Sequence, residues 1–316
     1  MAFSYACLFD PVQPRMDDFL SLDPTFPLEL ERKIFEISAI SRPTVIPKLM
    51  RVAWRVKKWV EPLLYRTIAL HSSQEIDGYP RFTDQRLLSA MRSNPTLFHD
   101  SLRNLYLYLP HSPTELRKME TILFHCTSLQ NLSIMFKFTD PKCTKLIAAM
   151  PLRRLCGDYQ PLLWDLPATH PFFAHITHLA LGLVFNLTAA DELCTRLALI
   201  PHLTHLSFDP LDIIPHCMRL LENCVLLRVL VLFALDLGQY EWWQQDLAAL
   251  SHDPRFLAMG PALYVEDWYT GVREGLDYWA RAEDFIARRR TGEVNPLQYE
   301  IYHASVDYRD NMFGAE

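Results

Sequence analysis

Nine glycines in 316 residues are few for a globular chain, since glycine averages roughly 7%. Phosphate-cradling loops depend on glycine, and the sequence holds neither Gly-x-Gly-x-x-Gly nor a Walker loop. Gly-x-Ser-x-Gly and His-Glu-x-x-His are missing as well, which removes the usual nucleophile elbow and zincin helix. There is no excess of positive charge: 31 Lys and Arg stand against 37 Asp and Glu, a net charge of −6. Nucleic acid would require a basic stripe, so it is not an expected partner. No uninterrupted apolar run approaches the ~18 residues of a membrane-spanning helix, so no membrane partner is expected. Residues 1–9 carry no basic group, which argues against a signal peptide.

Cys-x-x-Cys is also missing. The seven cysteines, at 7, 126, 143, 156, 194, 217 and 224, are odd in number and mostly embedded in apolar patterns. In such settings cysteine acts as a small hydrophobe. The expectation is a reducing compartment, cytoplasmic and/or nuclear, with no disulfide framework. Half of the residues are hydrophobic, enough for a large core.

What the chain does contain is a repeated phrase, Leu-x-x-Leu-x-Leu. Its copies begin at Leu102, Leu129, Leu152, Ile176, Leu203 and Leu227, with a poorer one at Pro254. The fourth and fifth copies, 175–181 and 202–208, are near duplicates, His-Ile-Thr-His-Leu-Ala-Leu and His-Leu-Thr-His-Leu-Ser-Phe. A period in the range of 20–29 residues is that of a leucine-rich repeat, one strand and one helical return per unit. The gaps at 114–126, 141–150, 189–200, 213–224 and 240–250 show helical apolar spacing. Prolines make the return at 160–173 irregular.

The predicted fold is therefore an α/β leucine-rich-repeat solenoid over 66–262. A loose leader (1–23) and a helical module (24–65) precede it, and a helical cap and tail (263–316) follow. In the module, 28–37 and 46–60 read as amphipathic helices, with Pro62 opening a further turn. Residues 65–70 read as a first strand, and 271–290 as one cap helix ending in three arginines.

Strand alternation sends the first, fourth and sixth positions of each phrase inward and the third, fifth and seventh to a concave face. The polar side chains expected there, as client-binding candidates, are Asn104, Tyr106, Tyr108, Asn131, Arg154, Asp158, His178, His205 and Asp209. Val229, Val231, Phe233 and Phe256 would make an apolar patch on the same face, covered by the C-terminal segment or else open to a partner. His175, His178, His202 and His205 do not form a metal set, because His-x-x-His at a strand entrance splits its rings between faces. No metal, cofactor or catalytic residue is expected.

Phe26-Pro-Leu-Glu-Leu30 followed by Ile34-Phe35 resembles the opening of an F-box, with Phe26 where leucine is usual. The stretch 49–59, ending Val-Lys-Lys-Trp, resembles its second half, and Glu61-Pro-Leu-Leu-Tyr65 its exit. With Trp279-Ala-Arg-Ala-Glu-Asp-Phe285 near the end, the whole chain is similar to the F-box-like leucine-rich-repeat proteins numerous in mushroom-forming fungi. The resemblance implies a non-catalytic substrate receptor of a Skp–cullin–F-box ubiquitin ligase, monomeric outside that complex. Pro27, Leu28, Leu30, Ile34, Leu49, Val52 and Val56 would then bind the Skp-type adaptor, and the repeats a client protein. The alternative is a repeat scaffold whose F-box-like helices only cap the solenoid. Leu28, Ile34 and Val52 discriminate between the two: exposed they favour the receptor, packed inward the scaffold.

Overall fold

The computed structural model describes residues 26–70, 80–108, 112–135, 140–182, 190–209, 213–233, 244–260 and 264–301. The expected leader, the 302–316 tail and the start of the return at 240 lie outside these. Among the described residues there are nine strands and thirteen α-helices. The strands form one open parallel sheet in strict chain order: β1 (Thr67–Leu70), β2 (Asn104–Leu107), β3 (Asn131–Ile134), β4 (Arg154–Gly157), β5 (His178–Leu181), β6 (His205–Phe208), β7 (Val229–Phe233), β8 (Phe256–Met259) and β9 (Glu300–Ile301).

From β2 to β7 the phrase stays in register, Leu105 beside Leu132, Leu155, Leu179, Leu206 and Leu230 in turn. These side chains and the leading residue of each phrase share one continuous core. The helices between the strands close that core: α4 (Asp84–Ser93), α5 (Pro95–Ser101), α6 (Pro113–His125), α7 (Pro141–Ala148), α8 (Gln160–Asp165), α9 (Ala190–Ala198), α10 (Ile214–Asn223) and α11 (Gln244–Leu250). Pro95, Pro113, Pro141 and Pro215 stand in the first turns of α5, α6, α7 and α10, where no intrahelical N–H is needed. Thr83, Asn94, Ser112 and Asp140 cap α4 to α7 by accepting a backbone N–H. The irregular fourth return is the short α8 followed by a 3-10 turn at Pro171–His175. The helical pair α4–α5 and the strand β9 have no counterpart in the sequence reading.

Three expectations need correction. The 46–60 helix is two, α2 (Ile46–Leu49) and α3 (Trp54–Leu64), separated at an extended Ala53, and Pro62 lies inside α3. The break lets Ile46, Val56 and Val60 all reach Ala39 of α1 (Leu28–Ser41), in a small core separate from that of the sheet. The 271–290 helix is likewise two, α12 (Tyr264–Glu274) and α13 (Tyr278–Thr291), turning at Gly275 with a φ of 71°. At Gly271 the two helices come so close that a Cβ would lie 2.6 Å from the Asp277 Cβ. Finally, the seventh phrase slips by one residue. Phe256, not Leu257, pairs with Leu230, so Phe256 and Ala258 enter the main core while Leu257 and Met259 face the other way.

The C-terminal segment covers more than the end of the array. β9 extends the sheet beside β8, and α12 and α13 lie across the second face, making a third layer. Buried Arg289 fastens α13 there, donating to Phe256 O (2.8 Å), Ser251 O (2.8 Å) and Pro296 O (2.6 Å).

Candidate functional site

Two surfaces follow from this arrangement: the second face of the sheet, and the outer side of the N-terminal helices. Much of the second face is covered by the chain itself. At its start, Ala69 and Tyr106 pack with Tyr269, Val265 and Trp268, and the Trp268 ring lies 5.6 Å from that of Tyr106. Trp268 Nε1 donates to Asn131 Oδ1 at 3.2 Å. Further along, Arg154 Nη1 pairs with Asp277 Oδ2 at 2.7 Å, and the same carboxylate caps α13 through Ala280 N. At the far end Val229, Val231 and Phe233 are buried with Leu257 and Met259 beneath Trp279, Ala282 and Ile286. The apolar patch expected there is thus covered, Phe256 excepted.

Between these ends the duplicated phrases bring His178 beside His205. Their rings stack 4.0 Å apart and 6° from parallel, and both abut the edge or face of Trp279 at about 5.5 and 5.4 Å. Each Nδ1 lies 2.8 Å from the preceding threonine hydroxyl, Thr177 or Thr204. His205 Nε2 lies 3.1 Å from Glu283 Oε1. Burial drives both imidazoles toward the neutral form. For His178, with His205 and Arg154 adding repulsion, the pKa falls to about 2. For His205 burial outweighs the opposing Glu283 carboxylate, and the shift is again downward.

This has a pH consequence. In the unfolded chain both histidines take up a proton near pH 6.5, whereas in the fold they do not. Below that pH the unfolded state therefore binds more protons, and stability falls as pH falls. His178 alone contributes up to ~1.4 kcal/mol per pH unit. We expect urea midpoints to drop steadily from pH 6.5 to 5, and His178→Gln to remove about one proton's worth of that slope. An unchanged slope in the variant would contradict the buried neutral pair.

The nine side chains expected to meet a client are thus mostly engaged within the chain. Tyr106, Asp158 and His205 are buried. Asn104 donates to Thr67 Oγ1, and Asn131, Arg154 and His178 hold the C-terminal helices as described. Asp158 and Asp209 line a cleft of only about 50 Å³ at the strand ends, with Cys156 and Phe233. Tyr108, at 50%, is the most exposed of the nine. The sequence expectation had the C-terminal segment or a partner over the apolar end of this face and left the polar part open to a client; it did not name Trp268, Tyr269, Asp277, Trp279 and Glu283 as cover. Their signal is the aromatic and acidic density of 264–285, which no periodicity assigns to a face.

The N-terminal module presents the reverse case. On α1, Phe35 and Ala39 turn inward, so the stripe Leu30, Ile34 and Ile37 turns outward. Leu28 (51%), Leu30 (53%), Ile34 (53%) and Val52 (60%) are each more than half exposed, with Phe26, Ile37 and Trp54 exposed beside them in sequence. Pro27 is exposed where it caps α1. Arg55 of α3 grips Glu31 of α1 at 2.9 Å, which fixes the two helices against each other. Two candidate adaptor residues do not belong to this outer face. Val56 is fully buried and Leu49 half-buried, because both complete the module's own core.

The six described cysteines are unpaired, five of them buried. Burial pushes their thiols up, to about 11 for Cys156, Cys194 and Cys224 and to about 12 for Cys143. They are protonated at neutral pH and are poor nucleophiles. No described helix is long and apolar enough to cross a membrane. The chain matches no protein-family model and no curated protein at a significant level.

Proposed function

We propose that this chain is a substrate receptor of a Skp–cullin ubiquitin ligase, with an F-box-like module on α1–α3 and a leucine-rich-repeat array behind it. The observation that carries this reading is the outward apolar stripe of α1. A helix that packs by its weaker face and offers Leu28, Leu30, Ile34 and nearby Val52 to solvent is arranged to meet another protein. The motif resemblance supplies the partner, a Skp-type adaptor. With α12 and α13 in place, Tyr108 is the most accessible of the expected client residues. Tyr106 and His205, buried against Trp268, Trp279 and Glu283, would meet a client only if those helices lifted.

Co-purification with the adaptor of the same organism tests this. Leu28→Asp/Ile34→Asp should leave the far-ultraviolet circular dichroism spectrum and thermal midpoint close to wild type, since both side chains are exposed. Burying each at an interface contributes about 1.5–3 kcal/mol, so the double variant should bind roughly 100-fold more weakly or not at all. A folded wild-type chain that fails to capture the adaptor removes the receptor reading. That result would favour the scaffold, to which one contact already points: Tyr65, just after α3, packs its ring at a tilt against Phe98 of α5, centroids 4.6 Å apart, joining the module to the first repeat.

A further inference from the structure

Where the module, the first strands and α12 meet, they enclose a cavity of about 370 Å³. It is some sevenfold roomier than the cleft of about 50 Å³ at the strand ends. Its apolar floor comes largely from the ends of α1 and α3, and its polar lining from the N-terminal ends of the strands and from α12. That lining includes three arginines, Arg66, Arg103 and Arg273, with Asn104 and Gln130 and no Asp or Glu. In a chain of net charge −6, such a concentration of cations is local, not a reflection of composition.

The donors in this cavity are only partly used. Arg103 Nη1 donates to Leu102 O at 3.2 Å and Arg273 Nη2 to Ser41 O at 3.3 Å, which leaves further N–H groups on each fork. Among the described residues Arg66 has no side-chain partner. The nearest carboxylate paired with the cluster, Glu274, is 3.6 Å from Arg273 Nε and outside the lining. The backbone here offers little, because Arg103 N and Asn104 N both already donate to Arg66 O. The free recognition groups are therefore chiefly guanidinium N–H donors, beside the side-chain amides of Gln130 and of Asn104, which already donates to Thr67 Oγ1.

A guanidinium presents five N–H donors in a planar fork that matches the oxygens of a phosphate two at a time. Three such forks around one cavity, with amides between them, match an anion carrying several acceptor oxygens. We infer that this cavity is a binding site for a phosphate-bearing ligand, independent of the adaptor face. The site spans module and sheet, so its occupant would brace the two against each other.

Calorimetric titration of the full chain with inorganic tripolyphosphate, at ionic strength held constant with sodium chloride, tests the site. A parallel titration uses a phosphoserine peptide of otherwise Gly and Ala residues, with its unphosphorylated twin as control. Wild type should bind at least one phosphorylated probe. Tripolyphosphate alone would mark a small polyphosphate as the ligand, and the phosphopeptide alone a modified protein segment. Arg66→Gln should weaken that binding roughly tenfold or more, as loss of a charged hydrogen-bonding partner does, and adding Arg103→Gln should abolish it. Arg66 is exposed, so the single variant should fold and remain informative even if the double variant does not. No heat from either phosphorylated probe with wild type, or equal heats with Arg66→Gln, would overturn the assignment.

Discussion

Trp279→Ala should cost about 3–5 kcal/mol of folding stability, the range for removing a large aromatic from a core. Its indole is the centre of the cover on the second face. It meets the stacked His178 and His205 edge-on, packs with Val229, Val231 and Ile286, and lies 4.3 Å from the Tyr278 ring. No side chain nearby is placed to fill the void, because its neighbours are held by their own bonds: Tyr278 to Ser207 and His205 to Glu283. Urea denaturation would measure the loss. Hydrogen exchange would add that α12 and α13 lose protection before the strands do, since most strand bonds do not pass through them. A cost below about 1 kcal/mol would mean that α13 does not rest on the sheet as described.

A comparable loss is expected from Gly157→Ala, at a position where the repeat would normally place leucine. Gly157 has a φ of 141°, and a Cβ there would lie 2.1 Å from the Ile134 carbonyl oxygen. Ile134 is its direct partner across β3 and β4, so the clash is with backbone and no rotamer relieves it. The strained φ costs about 1–3 kcal/mol and forced displacement in a packed region about 1–3 more, together about 2–6 kcal/mol. The core beside this position, where the other copies place Leu, Ile or Phe, holds Tyr159 instead, buried with its hydroxyl donating to Leu132 O at 3.3 Å. Tyr159→Ala should therefore also destabilise, and the pair should couple in a double-mutant cycle. If Gly157→Ala unfolds at the wild-type urea concentration, the close approach of β3 and β4 is wrong.

The third phrase, with Gly157 at its sixth position, thus substitutes one filler for another. The seventh departs in a different way. Leu257 and Met259 matched the pattern, but the main core took Phe256 and Ala258. Both faces of β8 are apolar, so period-two alternation could not choose between registers. The helix breaks at Ala53 and Gly275 were hidden for a related reason: each lies inside an apolar spacing that one continuous helix would also satisfy.

The sequence by itself determined the strand phrases, their period, most helical returns, and therefore a parallel sheet with one leucine-rich core. Those are local patterns, read within about 25 residues. Only the tertiary structure decided what meets each remaining face. The second face is closed by partners far away in the chain, such as Arg154 with Asp277, 123 residues apart. The α1 stripe stays open because Phe35 and Ala39, not Leu30 and Ile34, found the neighbouring helices. Periodicity shows that a side chain lies on a face; whether that face meets solvent, its own chain or another protein depends on contacts the pattern does not encode.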